Sequence, residues 1–401
     1  MAELFINPHA QSVLDHPPPP RDPLQFHVKL PDYSPTPFLR ADELARKLDV
    51  GSLLLKHEND RFGLPAFKVL GSSWAVYRLM KARYGIKDED WETVEDLRDR
   101  MKINNFLSLL TASDGNHGRG VARVAQWLGF ASRIFLPKGT VQARIDDIRS
   151  EGAIIEIVEG TYDRTVEIAA DYDGHVDWLI QDSAWDGYER IPRWIVEGYS
   201  TIFHEMDEQL RTLAGIAEPE STDQPDIVIV PIGVGSLAEA VVRHFKHRDV
   251  EGKAGRKAPI IIGVEPEGVA CGMESVREDR VLTIWEPGET IIAGLNCGTL
   301  SINSWPLIRE GVDAFVTVGD DRAREAVRLL HEAGIEAGES GASGLAGLLE
   351  LRHHPQVVEL LASRGVEVGS EGKSGWEDAT VLLLVTEGVT DPESHREIVS
   401  E

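Results

Sequence analysis

Residues 61–73 read RFGLPAFKVLGSS and set Lys68 between Phe67 and Val69. An ammonium in apolar surroundings is costly unless it is paired or neutralised. Desolvation lowers a lysine pKa, and the free amine is a nucleophile able to form a Schiff base with a carbonyl. The other reading of this stretch is a lysine whose stem packs while its charge snorkels to water. Further loops have to decide between them.

Gly233-Val234-Gly235-Ser236-Leu237-Ala238 follows the apolar run DIVIVP and precedes a helical stretch. Glycines there let backbone N–H groups face an anion, and the helix adds its positive N-terminal end, which points to phosphate. The same residues satisfy G-x-G-x-x-A, the dinucleotide fingerprint, and also suit a plain tight turn. SDGNHG at 113–118 supplies Asn116 for a polar ring substituent. It also supplies Asp114, an acid that is either chemical or a cap for the following helix. QDSAWDGY at 181–188 pairs Asp182 with aromatics and alone reads as a surface loop with a cap. Thr386-Glu387-Gly388 offers a hydroxyl for a ring nitrogen. A lysine, an amide, a glycine cradle and a hydroxyl are what pyridoxal phosphate needs for its aldehyde, ring hydroxyl, phosphate and ring nitrogen.

These loops need a scaffold. Strands are expected at 53–57, 106–110, 132–136, 153–158, 177–180, 226–231, 259–265, 314–318 and 380–385, those at 106–110, 226–231 and 380–385 of buried type. Helices are expected between most of them, among them 71–84, 117–128, 192–213 and 343–352. Alternation of this kind is the signature of parallel sheets with covering helices, an α/β fold. The chemical loops then stand at carboxyl ends of strands, where open α/β sheets bind ligands. Two αβ blocks meet near residue 200. Residues 1–40 are expected to be irregular, 216–225 a polar connection, and 364–378 a surface loop.

Composition narrows the function. Acids outnumber bases 67 to 41 over 401 residues, for a formal charge of −26. That argues against a nucleic-acid partner, favours solubility, and draws in cationic substrates. The N-terminus lacks the pattern of a secretory signal, and no apolar run suits a membrane span. With two cysteines and no Cys/His cluster of zinc spacing, neither a disulfide framework nor a metal is expected. A cytoplasmic enzyme acting on a small molecule is the expectation.

The motifs FKVLG, SDGNHGRGVA, QDSAWDGY, GVGSLA, AGLNCG, ESGASGL and TEGVTD, in this order, resemble the diaminopropionate ammonia-lyases. These are pyridoxal-phosphate enzymes of fold type II, the tryptophan-synthase-β-like fold. The resemblance covers the chain from about residue 30. FK and S-x-GNHG are shared with serine and threonine dehydratases, whereas DGNHGRG and QDSAWDGY are more specific. The cradle departs from the family where Ser236, Leu237 and Glu239 fill variable positions.

The resemblance implies two open, parallel-type αβ lobes with the cofactor in the cleft between them. Residues 1–75 and 201–401 would form the large domain and 76–200 the small one. It implies Lys68 as Schiff-base lysine, Asn116 at the ring hydroxyl and Thr386 at the pyridine nitrogen. Gly233, Val234, Gly235 and Ser236 would take the phosphate, and Asp114 and Asp182 would be active-site acids. The implied activity is a carbon–nitrogen lyase reaction on both enantiomers of 2,3-diaminopropionate, by a homodimer. Lys68 would serve as base for the L-substrate and Asp114 for the D-substrate, with Asp182 holding the distal amine. Cys271 and Cys297 would lie near the cofactor, where they could pair, although free thiols are the cytoplasmic default. Rival readings are a serine, threonine or 3-hydroxyaspartate dehydratase of the same fold, and a nicotinamide-dependent dehydrogenase whose ribose acid would be Glu265.

Overall fold

The computed structural model describes residues 2–101, 107–172, 177–214, 224–247, 258–286, 288–352, 354–363 and 376–401. Most of the expected connection at 216–225 and most of the expected loop at 364–378 lie outside them. In chain order the strands are β1 (Leu4–Ile6), β2 (Phe38–Arg40), β3 (Ser52–His57), β4 (Ser108–Ala112), β5 (Ala131–Pro137) and β6 (Ile154–Val158). They continue with β7 (Asp177–Leu179), β8 (Ile227–Pro231), β9 (Ile260–Pro266), β10 (Ala314–Val318) and β11 (Thr380–Val385).

Two sheets result. One runs β1-β10-β9-β8-β11-β3-β2 and the other β6-β5-β4-β7. The four-stranded sheet is parallel throughout. The seven-stranded sheet is parallel through its five inner strands. Every residue of β8 and β9 is buried, because helices cover both faces. β1 and β2 close the two edges antiparallel. Together with a helix at Asp22–His27 they correct the expectation of an irregular first 40 residues. β1 and β2 have three residues each and carry too little periodicity to be read, and their order comes from the sheet edge they join.

The segment that carries Lys68 is fixed from two sides. Arg61 and Leu64 exchange backbone hydrogen bonds of 2.8 and 3.0 Å around Phe62 and Gly63, whose φ values are 57° and 70°. This tight turn aims Arg61 into the core, where it is 1% exposed. Its guanidinium donates to Glu205 at 2.7 and 2.8 Å and to Glu58 at 2.7 and 3.0 Å. Lys56 Nζ adds a 2.9 Å bond to Glu205. Two buried cations thus balance two buried carboxylates, the condition under which charges survive burial. Glu205 belongs to the helix Arg190–Ala214, so the network ties that helix to the Lys68 segment.

The helix Lys68–Tyr84 then packs on Arg190–Ala214, closely enough at two glycines that no side chain fits there. A Cβ on Gly198 would stand 2.5 Å from the Leu70 carbonyl oxygen, and one on Gly71 would stand 2.6 Å from Ile195 Cγ2. Glycine at both positions lets the two backbones touch.

Candidate active site

Loops at the carboxyl ends of strands from both sheets enclose a cleft of about 740 Å³, counting its open mouth. Lys68, Asp114, Asn116, Asp182, Gly233, Val234, Gly235, Ser236 and Thr386 all line it. Lys68 is the first residue of its helix, and its Nζ donates to Asp182 Oδ2 at 2.6 Å. Burial works against the Lys68 ammonium, but Asp182, with Tyr199 and Asp114 behind it, outweighs burial and raises the Lys68 pKa. Burial likewise opposes the Asp182 charge, and His117 and Lys68 overcome it to hold that carboxyl at about 2. Burial lowers the His117 pKa, so near neutral pH Lys68 is the cation that keeps Asp182 ionised.

His117 Nε2 is 2.6 Å from the Ile180 carbonyl oxygen and therefore carries the proton of the neutral ring. Its Nδ1 is buried without a hydrogen bond, 3.9 Å from Asp182 Oδ2. Ser113 Oγ holds the turn before it, accepting the N–H groups of Gly115 and Gly118 at 2.9 and 2.8 Å. The side chain that caps this helix start is Ser113, not Asp114, so the capping alternative for Asp114 does not hold. Asp114 is half-buried and faces the cleft. Burial raises its pKa; Lys68 and Arg144 pull it down, while Glu387 and Asp182 add to the rise.

The glycine turn has the character of an anion cradle. Gly235, at φ +92°, is the N-cap of the helix Ser236–Phe245. Among the described residues no protein oxygen accepts the backbone N–H groups of residues 233–237. A Cβ on Gly235 would stand 2.5 Å from Ile308 Cδ1, so the turn requires glycine for space and for conformation. The Ser236 hydroxyl is engaged elsewhere, donating to the Asp182 carbonyl at 2.8 Å and joining the cradle to the acid loop.

Several cleft residues escaped the sequence reading. Tyr162 accepts from Gln181 at 2.9 Å and stands 3.5 Å from Asp182 Oδ1. It follows β6, so the rule that ligands gather at strand carboxyl ends would have found it. Ser340 sits beside Thr386, whose hydroxyl is 3.4 Å from the Ser340 carbonyl oxygen. Ser340 Oγ accepts the Gly294 N–H at 3.0 Å. Its helix begins at Glu339, four residues before the expected 343, because ESGASG reads as a glycine-rich loop. The Tyr199 hydroxyl is buried without a hydrogen bond. Glu387 pairs with Arg144 at 3.3 Å, joining β11 to the helix Gln142–Ser150 beside the four-stranded sheet.

A phosphorylated aromatic aldehyde fits these residues. The free N–H groups of the cradle suit its phosphate, Lys68 its aldehyde, and Asn116, Thr386 and Ser340 the polar ring edge. A dinucleotide fits worse. Both Glu265 oxygens already accept backbone N–H groups, from Gly272 at 2.7 Å and Met273 at 2.8 Å, so the supposed ribose acid is occupied. Cys271 and Cys297 are both free and buried, and burial pushes both thiols well up in pKa. Cys271 Sγ lies 3.8 Å from the Gly233 carbonyl oxygen.

Residues 29–360 match the family model described as pyridoxal-phosphate dependent enzyme. The chain is 35% identical over 383 residues to the diaminopropionate ammonia-lyase of Escherichia coli (strain K12), covering 94% of this chain and 90% of that protein. The crystal structure of diaminopropionate ammonia lyase from Escherichia coli in complex with D-serine matches with a TM-score of 0.84 at 32% identity. The match covers 100% of this chain and 97% of that one. The same enzyme in complex with its aminoacrylate-PLP azomethine reaction intermediate matches with a TM-score of 0.82, again at 32% identity and with 100% and 97% coverage.

Proposed function

The chain belongs to the pyridoxal-phosphate dependent enzymes and, within them, to the diaminopropionate ammonia-lyases, and on that premise we propose that it converts both enantiomers of 2,3-diaminopropionate, with water, to pyruvate and two molecules of ammonia. Pyridoxal phosphate, once bound, supplies the electron sink for the charge left at the substrate α-carbon. Lys68 anchors the aldehyde, and the backbone of Gly233, Val234, Gly235 and Ser236 takes the phosphate. Asn116 meets the ring hydroxyl, and Thr386, with Ser340 beside it, meets the ring nitrogen.

The reading is carried by the 2.6 Å contact between Lys68 and Asp182. A carboxylate only 1% exposed already holds a primary ammonium there. The distal amine of diaminopropionate is the same chemical group and takes that place when Lys68 serves the cofactor. Serine carries no such charge. Lys68 removes the α-proton of the L-enantiomer. Asp114, whose raised pKa suits a base working nearer neutrality, removes that of the D-enantiomer. The β-amino group leaves as the first ammonia, and hydrolysis releases the second with pyruvate.

Among the described residues no helix is long and apolar enough to cross a membrane. We place the enzyme in the cytoplasm as a homodimer, with residues 1–75 and 201–401 as its large domain and 76–200 as its small one. Light scattering behind gel filtration tests the dimer. The reaction is tested by comparing pyruvate formation from D- and L-diaminopropionate, serine and threonine. Either diaminopropionate enantiomer is expected to turn over fastest, and faster turnover of serine overturns the reading.

A further inference from the structure

Three side chains outside the cleft come together where helix ends meet. His331 lies in the last turn of the helix Asp320–Glu332, Glu336 in the connection that follows, and His395 in the helix Pro392–Ser400. His331 Nδ1 is 2.9 Å from Glu336 Oε1, and His395 Nε2 is 3.3 Å from Glu336 Oε2. One donor atom from each residue lies within 4.8 Å of the others. None of the three lines the cleft.

His395 is the informative member. It is 7% exposed, and its Nε2 is buried without a hydrogen bond although a carboxylate oxygen stands 3.3 Å away. A buried ring nitrogen without a hydrogen bond is costly, and a cation ligated by both it and the facing carboxylate oxygen would satisfy it. The 3.3 Å between His395 Nε2 and Glu336 Oε2 is the spacing of two ligands on one ion, and the His331 donor, within 4.8 Å, closes in on binding. Donors on a tetrahedral ion with bonds of 2.0–2.1 Å lie about 3.3 Å apart. Two imidazoles and one carboxylate form a borderline donor set that selects zinc and its neighbours over calcium or magnesium, which want oxygen alone. His331 and Glu336 are exposed, which leaves water to complete the coordination.

We propose that His331, Glu336 and His395 form a surface site for one divalent transition-metal ion of the zinc type. The ion ties the end of one helix, the connection after it and the helix Pro392–Ser400 together. That connection runs on through Gly338, whose N–H donates to the Glu387 carbonyl at 3.1 Å, and into the helix that carries Ser340. The bond is structural, and the elimination does not require it.

Isothermal titration of the cofactor-loaded enzyme with zinc chloride tests the site. One zinc per chain is expected, with affinity at least tenfold weaker in His331→Ala, Glu336→Gln and His395→Ala. Magnesium chloride should give no heat. Cobalt(II) supplies a second readout, because nitrogen and oxygen ligation gives visible d–d bands that His331→Ala should lose. His331 is exposed, so that variant keeps the test valid if His395→Ala fails to fold. No zinc uptake at millimolar concentration, or equal affinity in wild type and in the folded variants, overturns the proposal.

Discussion

Lys68 Nζ donates to Asp182 Oδ2 at 2.6 Å, so without cofactor the two side chains form an ion pair. A lysine must lose its proton before it attacks an aldehyde. With the Lys68 pKa raised, the neutral fraction is small at pH 7 and grows about tenfold per pH unit. The rate at which the apo chain takes up pyridoxal phosphate, followed by visible absorbance, is expected to rise with about that slope from pH 7 to 9. Asp182→Asn should speed uptake at pH 7 and flatten the slope, because burial then acts on Lys68 unopposed by its nearest anion. A flat profile in the wild type would contradict the ion pair's role.

Asp114→Asn separates the two enantiomers. Loss of a general base costs about 10²- to 10⁴-fold. The D-substrate is expected to lose about 10²-fold or more in kcat/KM and the L-substrate less than about tenfold. As the proposed base, Asp114 would work only when ionised, and its pKa is raised above the usual 3.8. In the wild type, kcat/KM for the D-substrate should therefore fall as pH drops through that raised pKa, with no matching limb from Asp114 for the L-substrate. Equal losses for both enantiomers would remove Asp114 from its assigned role.

The ion pair between Arg144 and Glu387 joins the helix Gln142–Ser150 to the loop after β11, with side chains 9% and 2% exposed. Removing one partner strands a buried charge, at a cost of about 3 kcal/mol. Arg144→Met is expected to lose about that much in urea unfolding, and Arg144→Met with Glu387→Gln to regain a substantial part. A double variant as unstable as the sum of the singles would show that the two are not coupled.

Gly235→Ala should act on cofactor and fold together. The left-handed φ of +92° and the 2.5 Å approach of a Cβ to Ile308 both oppose the substitution. Fluorescence titration with pyridoxal phosphate is expected to show at least tenfold weaker binding, with stability lower by about 1 kcal/mol or more. Unchanged affinity would argue that the cradle does not hold the phosphate.

The inner strands were legible because burial on both faces writes unbroken apolar runs such as IVIVP in β8. The chemical loops were legible because small residues and acids interrupt such runs at their carboxyl ends. What escaped was short or locally unmarked. β1 and β2 borrow their order from neighbouring strands, and the helices Cys271–Arg277, Trp305–Gly311 and Pro392–Ser400 span only seven to nine residues. The helix of Lys68 begins three residues earlier than expected because Phe67 at its N-cap offers no capping side chain. Pairings such as Arg144 with Glu387 span 243 positions and leave no local trace. The cluster of His331, Glu336 and His395 is hidden in the same way.

The glycine contact between the helices Lys68–Tyr84 and Arg190–Ala214 makes the position of Lys68 depend on a residue that never meets a ligand. Ordinary van der Waals contact begins at 3.4 Å, so a methyl on Gly198, 2.5 Å from the Leu70 carbonyl oxygen, would force the helices apart by about 1 Å. Leu70 is two residues from Lys68, the proposed anchor, and displacements of that size at reacting groups cost about 10²-fold in rate. At Gly198 the contact is backbone against backbone, with no flexible side chain to take up the error. In a library selected for turnover, Gly198 would behave like an active-site residue while lying wholly outside the cleft.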